Sequence, residues 1–232
     1  MMRTLICLVL MLPAAADDTF TVTGVVKLNG PIPAAKLNKQ LGSDPGCCAL
    51  HKELPPKEDL VVDSAGGVKW AFVYVKAGLQ GKKFAPPAEP VLMNQVGCIY
   101  APHVAGAMVG QLVNFRNSDP MLHNVHGIPF ANKEFNFGQA QGAVNGVKFT
   151  VQEVMVKVKC EVHPWMASWI GVLDHGFFAV TAADGKFVIP PGLKDGKYTV
   201  EVWHEGYKSV SADVDVKGGS GAANFDLTDK KE

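Results

Sequence analysis

The segment Cys160-Glu-Val-His163-Pro-Trp-Met166 places a thiol, an imidazole and a thioether within seven residues, and His123-Asn-Val-His126 lies upstream of it. One thiolate, two imidazoles and a weak axial thioether are the ligand set of a mononuclear copper site that passes electrons. Soft sulfur suits Cu(I), imidazole tolerates both oxidation states, and the compromise keeps reorganisation small. Such a set leaves no open coordination position for a substrate, which favours electron transfer over turnover.

The spacing constrains the backbone. Three ligands in so short a segment must bend around one ion, so Cys160 to Met166 is predicted to be a tight loop. Pro164 stiffens it and removes one backbone donor beside His163. The remote ligand, His123, must come from another strand end. Residues three apart on a strand face opposite sides, so His126 is assigned to the surface or to a position supporting the ligands from behind. Met121 lies outside the loop, and Met166 is the preferred axial donor. Covalent c-type haem needs Cys-x-x-Cys-His, and structural zinc favours paired Cys-x-x-Cys units; neither pattern is present. Taken alone, Cys-x-x-His is weak and is better explained by a core or disulfide cysteine and a surface histidine. Met166 and the His-Asn-Val-His segment decide for copper. His175 and His204 fall outside the constellation.

The elements that must position these side chains read as strands. From Phe149 to Cys160 the chain alternates, with Val154, Val156, Val158 and Cys160 on one face and Lys157, Lys159 and Glu161 on the other. Cys160 therefore leaves its strand on the buried side. Val113 and Phe115 share a face, and Gly171-Val-Leu reads as the return strand. Further strands are predicted over Phe20–Leu28 and Val68–Val75. Ala34 to Pro56 has no clear period and reads as a long loop, and Lys82 to Pro90 as a linker. C-terminal strands are separated by Asp-Gly and Pro-Gly turns. With 24 Gly, 15 Pro and no long helical periodicity, the chain is predicted to be all-β.

Lys plus Arg and Asp plus Glu each number 22, dispersed along the chain, so neither nucleic acid nor a membrane surface is indicated as a partner. Met1-Met-Arg, the apolar run Leu5 to Leu12 and Pro13-Ala-Ala-Ala16 read as a signal peptide, residues 1–16, cut after Ala16. The run is too short to span a bilayer. An exported, periplasmic protein permits disulfides. If Cys160 holds metal, Cys47, Cys48 and Cys98 are left, and Cys98 is expected to pair with Cys47 or Cys48. A second metal site from Cys47, Cys48, His51, Cys98 and His103 has suitable ligand types but no defensible spacing.

The metal loop resembles that of the cupredoxins, particularly the amicyanin and plastocyanin type with Cys-x-x-His-Pro-x-Met. Tyr100, Pro102, Val109-Gly110, Val113, Phe115, Asn117 and His123-Asn-Val-His126 fall at that family's spacing. The resemblance implies His123, Cys160 and His163 as equatorial ligands and Met166 as the axial one. It also implies that Asn124 pins the ligand loop. Val162 replaces a proline and Trp165 a smaller aromatic. The C-terminal strands, with Asp184-Gly-Lys-Phe-Val-Ile, Gly192-Leu, Asp195-Gly-Lys-Tyr-Thr-Val and Gly206-Tyr207, resemble carboxypeptidase regulatory-like modules, which are transthyretin-like β-sandwiches. Thr23-Gly-Val-Val-Lys-Leu-Asn-Gly-Pro and Val73-Tyr-Val-Lys supply that module's first strands. The implied organisation is a cupredoxin-like Greek-key β-sandwich over 88–175, inserted into or packed beside a module split between 19–80 and 176–228.

These readings point to a periplasmic type 1 copper protein, not an enzyme, with one Cu(I)/Cu(II) ion. It would carry single electrons between redox proteins such as a c-type cytochrome or a periplasmic dehydrogenase. Electrons would pass the exposed edge of His163 beneath a docking patch of Pro164 and Trp165. The alternative is a copper-binding scaffold or copper carrier without an electron-transfer role.

Overall fold

The structure is a computed structural model that describes residues 21–218 and 220–231. The signal-peptide reading of residues 1–16 lies outside the described residues. No helix among the described residues is long and apolar enough to cross a membrane.

The chain is all-β apart from single helical turns. Strand β1 (Thr21–Leu28) is followed by a 3-10 turn at Leu41–Ser43 and the one-turn helix α1 (Pro45–Cys48). Then come β2 (Val61–Val62), β3 (Val68–Lys69) and β4 (Phe72–Ala77). The middle of the chain supplies β5 (Val91–Gln95), β6 (Tyr100–Ala101), β7 (Val104–Met108), β8 (Leu112–Asn117), β9 (His123–Ile128), β10 (Phe135–Gln139), β11 (Val144–Lys148), β12 (Glu153–Lys159) and β13 (Ala167–Leu173). The remainder supplies β14 (Phe178–Val180), β15 (Lys186–Ile189), β16 (Gly196–His204), β17 (Tyr207–Val216), β18 (Ser220–Ala222) and β19 (Phe225–Leu227).

Pairing segregates by origin. Strands β5 to β13 form two sheets, ordered β10-β9-β12-β13-β7 and β11-β8-β5-β6. Between them lies a core that includes Met93, Tyr100, Phe115, Val125, Val158 and Ile170. The two ends of the chain form separate sheets, β15-β1-β18 (with β19 also on β1) and β14-β4-β16-β17. Their core includes Val22, Val73, Ile189, Val200, Val214 and Leu227. A third cluster, with Phe72, Tyr74, Val104, Leu173 and Trp203, joins the two. Glycine makes that junction possible. Gly171 and Gly106 are register partners on β13 and β7, and a Cβ on either would meet the ring of Phe72 or Phe178 within 2.5 Å.

Two local expectations change. The run Val68–Val75 is two strands, because Trp70 takes a left-handed φ of 67° and interrupts the ladder. Val154 leaves the face it was predicted to share with Val156, Val158 and Cys160. The β12–β13 register shifts between Glu153 and Val156, and Val154 packs on the junction cluster. The long Ala34–Pro56 segment holds α1, whose N-cap Asp44 accepts the Cys47 N–H at 2.9 Å with Pro45 at the first helical position.

Candidate metal centre

Adjacent strands of one sheet deliver the candidate ligands. His123 opens β9 and Cys160 follows β12, and these strands pair with Lys159 opposite His126. Alternation on β9 buries His123 and Val125 and turns Asn124 and His126 outward. His126 points away from the centre, between Glu134 (2.7 Å) and Glu161 (2.5 Å).

The loop after β12 is closed by its own backbone. The Cys160 N–H donates to the Met166 carbonyl at 3.1 Å, and the Met166 N–H donates to the His163 carbonyl at 2.9 Å. This turns His163 back over Cys160. His123 Nδ1 and His163 Nδ1 lie 2.9 Å apart, and Cys160 Sγ is 3.7 Å from His163 Nδ1. The three donor atoms fall within 4.8 Å of one another, and all three residues are buried. The Met166 side chain is buried in the same core as Cys160.

A second layer of polar groups fixes this arrangement. The Asn124 N–H donates to Cys160 Sγ at 3.3 Å, and Asn124 Oδ1 accepts the Glu161 N–H at 3.2 Å. Asn124 Nδ2 in turn donates to the Phe137 carbonyl and to Asn136, so the loop is tied to β10. Asp119, which the sequence reading did not single out, accepts the Nε2–H of His123 at 2.8 Å. It also accepts the N–H groups of Gly97 (2.6 Å) and Cys98 (2.8 Å). Asn117 Oδ1 receives the Asp119 N–H at 2.9 Å, and its amide donates to the Met121 and Gln139 carbonyls. The turn before His123 is thereby pinned at Asn117, Asp119 and the Met121 carbonyl. A carboxylate on one ring nitrogen places the proton there and leaves the other nitrogen's lone pair for a metal.

Electrostatics agree with this reading. Burial opposes charge on His123, but Asp119 and then Cys160 outweigh it and push its pKa up to about 9. Burial alone would raise the Cys160 thiol. Hydrogen bonds from His123 and from the backbone at Asn124, His163 and Val162 instead hold it below its usual value. Burial and the neighbouring His123 charge hold His163 low. Three buried donors, a cysteine sulfur whose thiolate form is favoured and two converging imidazoles, fit a soft, positively charged ion such as copper.

His163 does not have the exposed edge expected for it. It is 5% exposed. The Leu41–His51 segment is drawn over the centre by a disulfide between Cys47 and Cys98, and both sulfurs lie within 4.8 Å of a His163 ring nitrogen. Cys48 is left free and half-buried. Trp165 sits 5.1 Å from the His163 ring, centroid to centroid, and donates its indole N–H to the Cys98 carbonyl at 3.0 Å. Pro164 is exposed and Trp165 half-buried. With Tyr100, His103, Met166 and Glu205 they line a cavity of about 210 Å³ between the metal loop and the C-terminal strands.

No family model and no curated protein matches the chain. Among solved structures it is similar to a copper-containing nitrite reductase from Thermus scotoductus (24% identity over 41% of this chain, TM-score 0.34). It spans 24% of that enzyme's length. A purple cupredoxin from Nitrosopumilus maritimus is 23% identical over 35% of this chain and 98% of its own, with a TM-score of 0.31. A reduced amicyanin variant is 18% identical over 43% of this chain and 97% of its own, with a TM-score of 0.33.

Proposed function

We propose that this chain is an exported mononuclear copper protein that carries single electrons between other redox proteins. The observation that carries the reading is the convergence of His123 Nδ1, Cys160 Sγ and His163 Nδ1 within 4.8 Å. His123, Cys160 and His163 would hold the ion, with the thioether of Met166, buried in the same core, as a fourth and weaker donor. Bound copper supplies a one-electron couple between Cu(I) and Cu(II). The protein's part is to hold the donors fixed: Asp119 and Asn124 orient His123 and Cys160, and the surrounding core excludes water. With the donor set complete, the protein acts as a carrier and not as an enzyme. Its partners would be a c-type cytochrome or a periplasmic dehydrogenase, docking at Pro164 and Trp165. The sheets from the two chain ends would be a split carboxypeptidase regulatory-like module, 19–80 with 176–228, holding the 88–175 copper domain.

A second reading, a copper carrier or scaffold, is favoured by the burial of His163 beneath the stapled Leu41–His51 segment. Visible absorption of the Cu(II)-loaded protein with a redox titration separates the two. An intense thiolate-to-copper band, lost in Cys160→Ser, together with a reversible one-electron couple supports electron transfer. Colourless binding of Cu(I) alone supports the carrier.

A further inference from the structure

We propose that Cys47, Cys98 and His163 form a second copper(I) site that opens when the Cys47–Cys98 disulfide is reduced, with His163 shared between it and the set above. Cys47 Sγ, Cys98 Sγ and a His163 ring nitrogen all lie within 4.8 Å of one another. Cys47 and Cys98 are fully buried, and Met121 Sδ is 3.7 Å from Cys98 Sγ. Two thiolates, an imidazole and a nearby thioether form a softer set than that around Cys160, and softness selects Cu(I). In the oxidised state both sulfurs are tied up in the S–S bond and offer no thiolate.

The chemistry balances with a dithiol reductant. Its two thiols give two electrons and two protons to the Cys47–Cys98 bond. That bond breaks to two thiols as the reductant closes its own disulfide. Binding of Cu(I) by the two thiolates then releases the two protons to solvent.

Contacts other than the disulfide hold the two cysteines together after reduction. His51 Nε2 meets the Gly97 carbonyl at 2.7 Å, immediately before Cys98. Asp119 grips the Gly97 and Cys98 N–H groups, Asp44 caps the turn that carries Cys47, and Leu41 is fully buried in the same core. Trp165 holds the Cys98 carbonyl from the metal loop itself. The two ligand sets therefore meet at His163, and reduction would move one ion from one set to the other. This sharing rests on the ligand set proposed above; the thiol site does not.

The test uses the full chain with Cys48→Ser, so that the free thiol is not counted, and adds Cys160→Ala to remove the first set's only thiolate. Anaerobic Cu(I) competition against a chromophoric chelator is run on the oxidised protein and after dithiothreitol reduction and desalting. The reduced Cys160→Ala protein should bind one Cu(I) about 100-fold or more tightly than its oxidised form, as newly freed thiolates dictate. X-ray absorption should show two thiolate sulfurs on the metal. A Cys47→Ser, Cys98→Ser version should show no gain, with circular dichroism confirming that it is folded. Equal affinity of the oxidised and reduced forms, or a gain retained by the double-serine protein, would overturn the site. With Cys160 intact, the reduced protein should bind one Cu(I); two would overturn the sharing of His163. A Cys160-containing protein without a visible copper band would sink the electron-carrier reading and leave the thiol site standing.

Discussion

Asp119 Oδ2 lies 2.8 Å from His123 Nε2, with both side chains buried, and the ring's other nitrogen faces Cys160 and His163. The carboxylate does two things at once. It fixes which nitrogen carries the proton, and it anchors the Gly97–Cys98 backbone that brings the disulfide beside the centre.

Asp119→Asn should therefore lower copper affinity about 10- to 100-fold, as loss of such an outer partner typically does. The amide has one acceptor oxygen where the carboxylate has two, so it gives up either the Gly97 N–H or the Cys98 N–H with His123, and it no longer stabilises a positively polarised imidazole. Chelator competition on the variant gives the number. Unchanged affinity would show that His123 is held by the fold alone.

Met166→Gln should leave a coloured site with a lowered reduction potential, because an amide oxygen is harder than a thioether and favours Cu(II). Met121→Gln should leave the potential of the oxidised, disulfide-bonded protein nearly unchanged, since Met121 lies against Cys98 and outside the metal loop. Redox titrations of both variants beside the parent decide the matter. A shift for Met121 and none for Met166 would mean that the axial donor has been misassigned.

The parts of the centre that were legible in the sequence are local ones. Cys160, His163 and Met166 share one loop, and the alternation of Val156, Val158 and Cys160 placed the Cys160 side chain inward, although Val154 departs from it. The opposite facing of His123 and His126 followed from strand period alone. Asp119 was illegible for a chemical reason: in Asn-Ser-Asp-Pro an aspartate reads as a turn former. The cover over His163 was illegible for a topological one. Cys47 and Cys98 are 51 residues apart, and the segment carrying Cys47 has no hydrophobic period to announce that it packs on the metal loop. The Asp44-Pro45 pair was the available signal for α1. It would have placed a turn there but not its partner. Likewise Gly171 reads as a strand residue, and only its register opposite Gly106 shows that together they make room for Phe72 and Phe178.

Gly171→Ala should destabilise the protein by about 1–3 kcal/mol, the usual cost of overpacking a closed core. The new methyl would sit 2.4 Å from Phe72 Cζ, and Phe72 is fully buried with no free side to retreat to. Combining it with Phe72→Leu should recover part of the loss, a coupling readable in a double-mutant cycle by urea denaturation. If Gly171→Ala is neutral, the ring is freer than its burial indicates and the junction is not tightly packed.

His204 should make stability depend on pH. The residue is 1% exposed, and its ring accepts the Gly206 N–H on Nδ1 at 3.1 Å and packs edge-on against Tyr207. Burial, opposed by Glu205 and aided by Lys231 and His103, pushes its pKa down to about 4. In the unfolded chain the value returns to about 6.5. Above that pH both states are neutral and the residue contributes no slope. Between about 6.5 and 4 the unfolded chain takes up a proton that the folded protein refuses, so stability falls as pH falls. Below the folded value both states are protonated and the loss levels off at roughly 3 kcal/mol, from about 1.4 kcal/mol per unit. His163 and His175, also held low, act in the same direction within this window, whereas His123 and His126, held high, add stability as pH falls toward about 6.5 from above and contribute no slope below it. The parent curve alone therefore does not isolate His204. His204→Asn keeps an acceptor for the Gly206 N–H without a titrating ring. Denaturant unfolding of both proteins from pH 7 to pH 4 should show the parent losing about 2–3 kcal/mol more than the variant across that window. Parallel curves would mean that the folded protein accepts the proton on His204 at its ordinary pKa, and that burial at this junction is relieved by water.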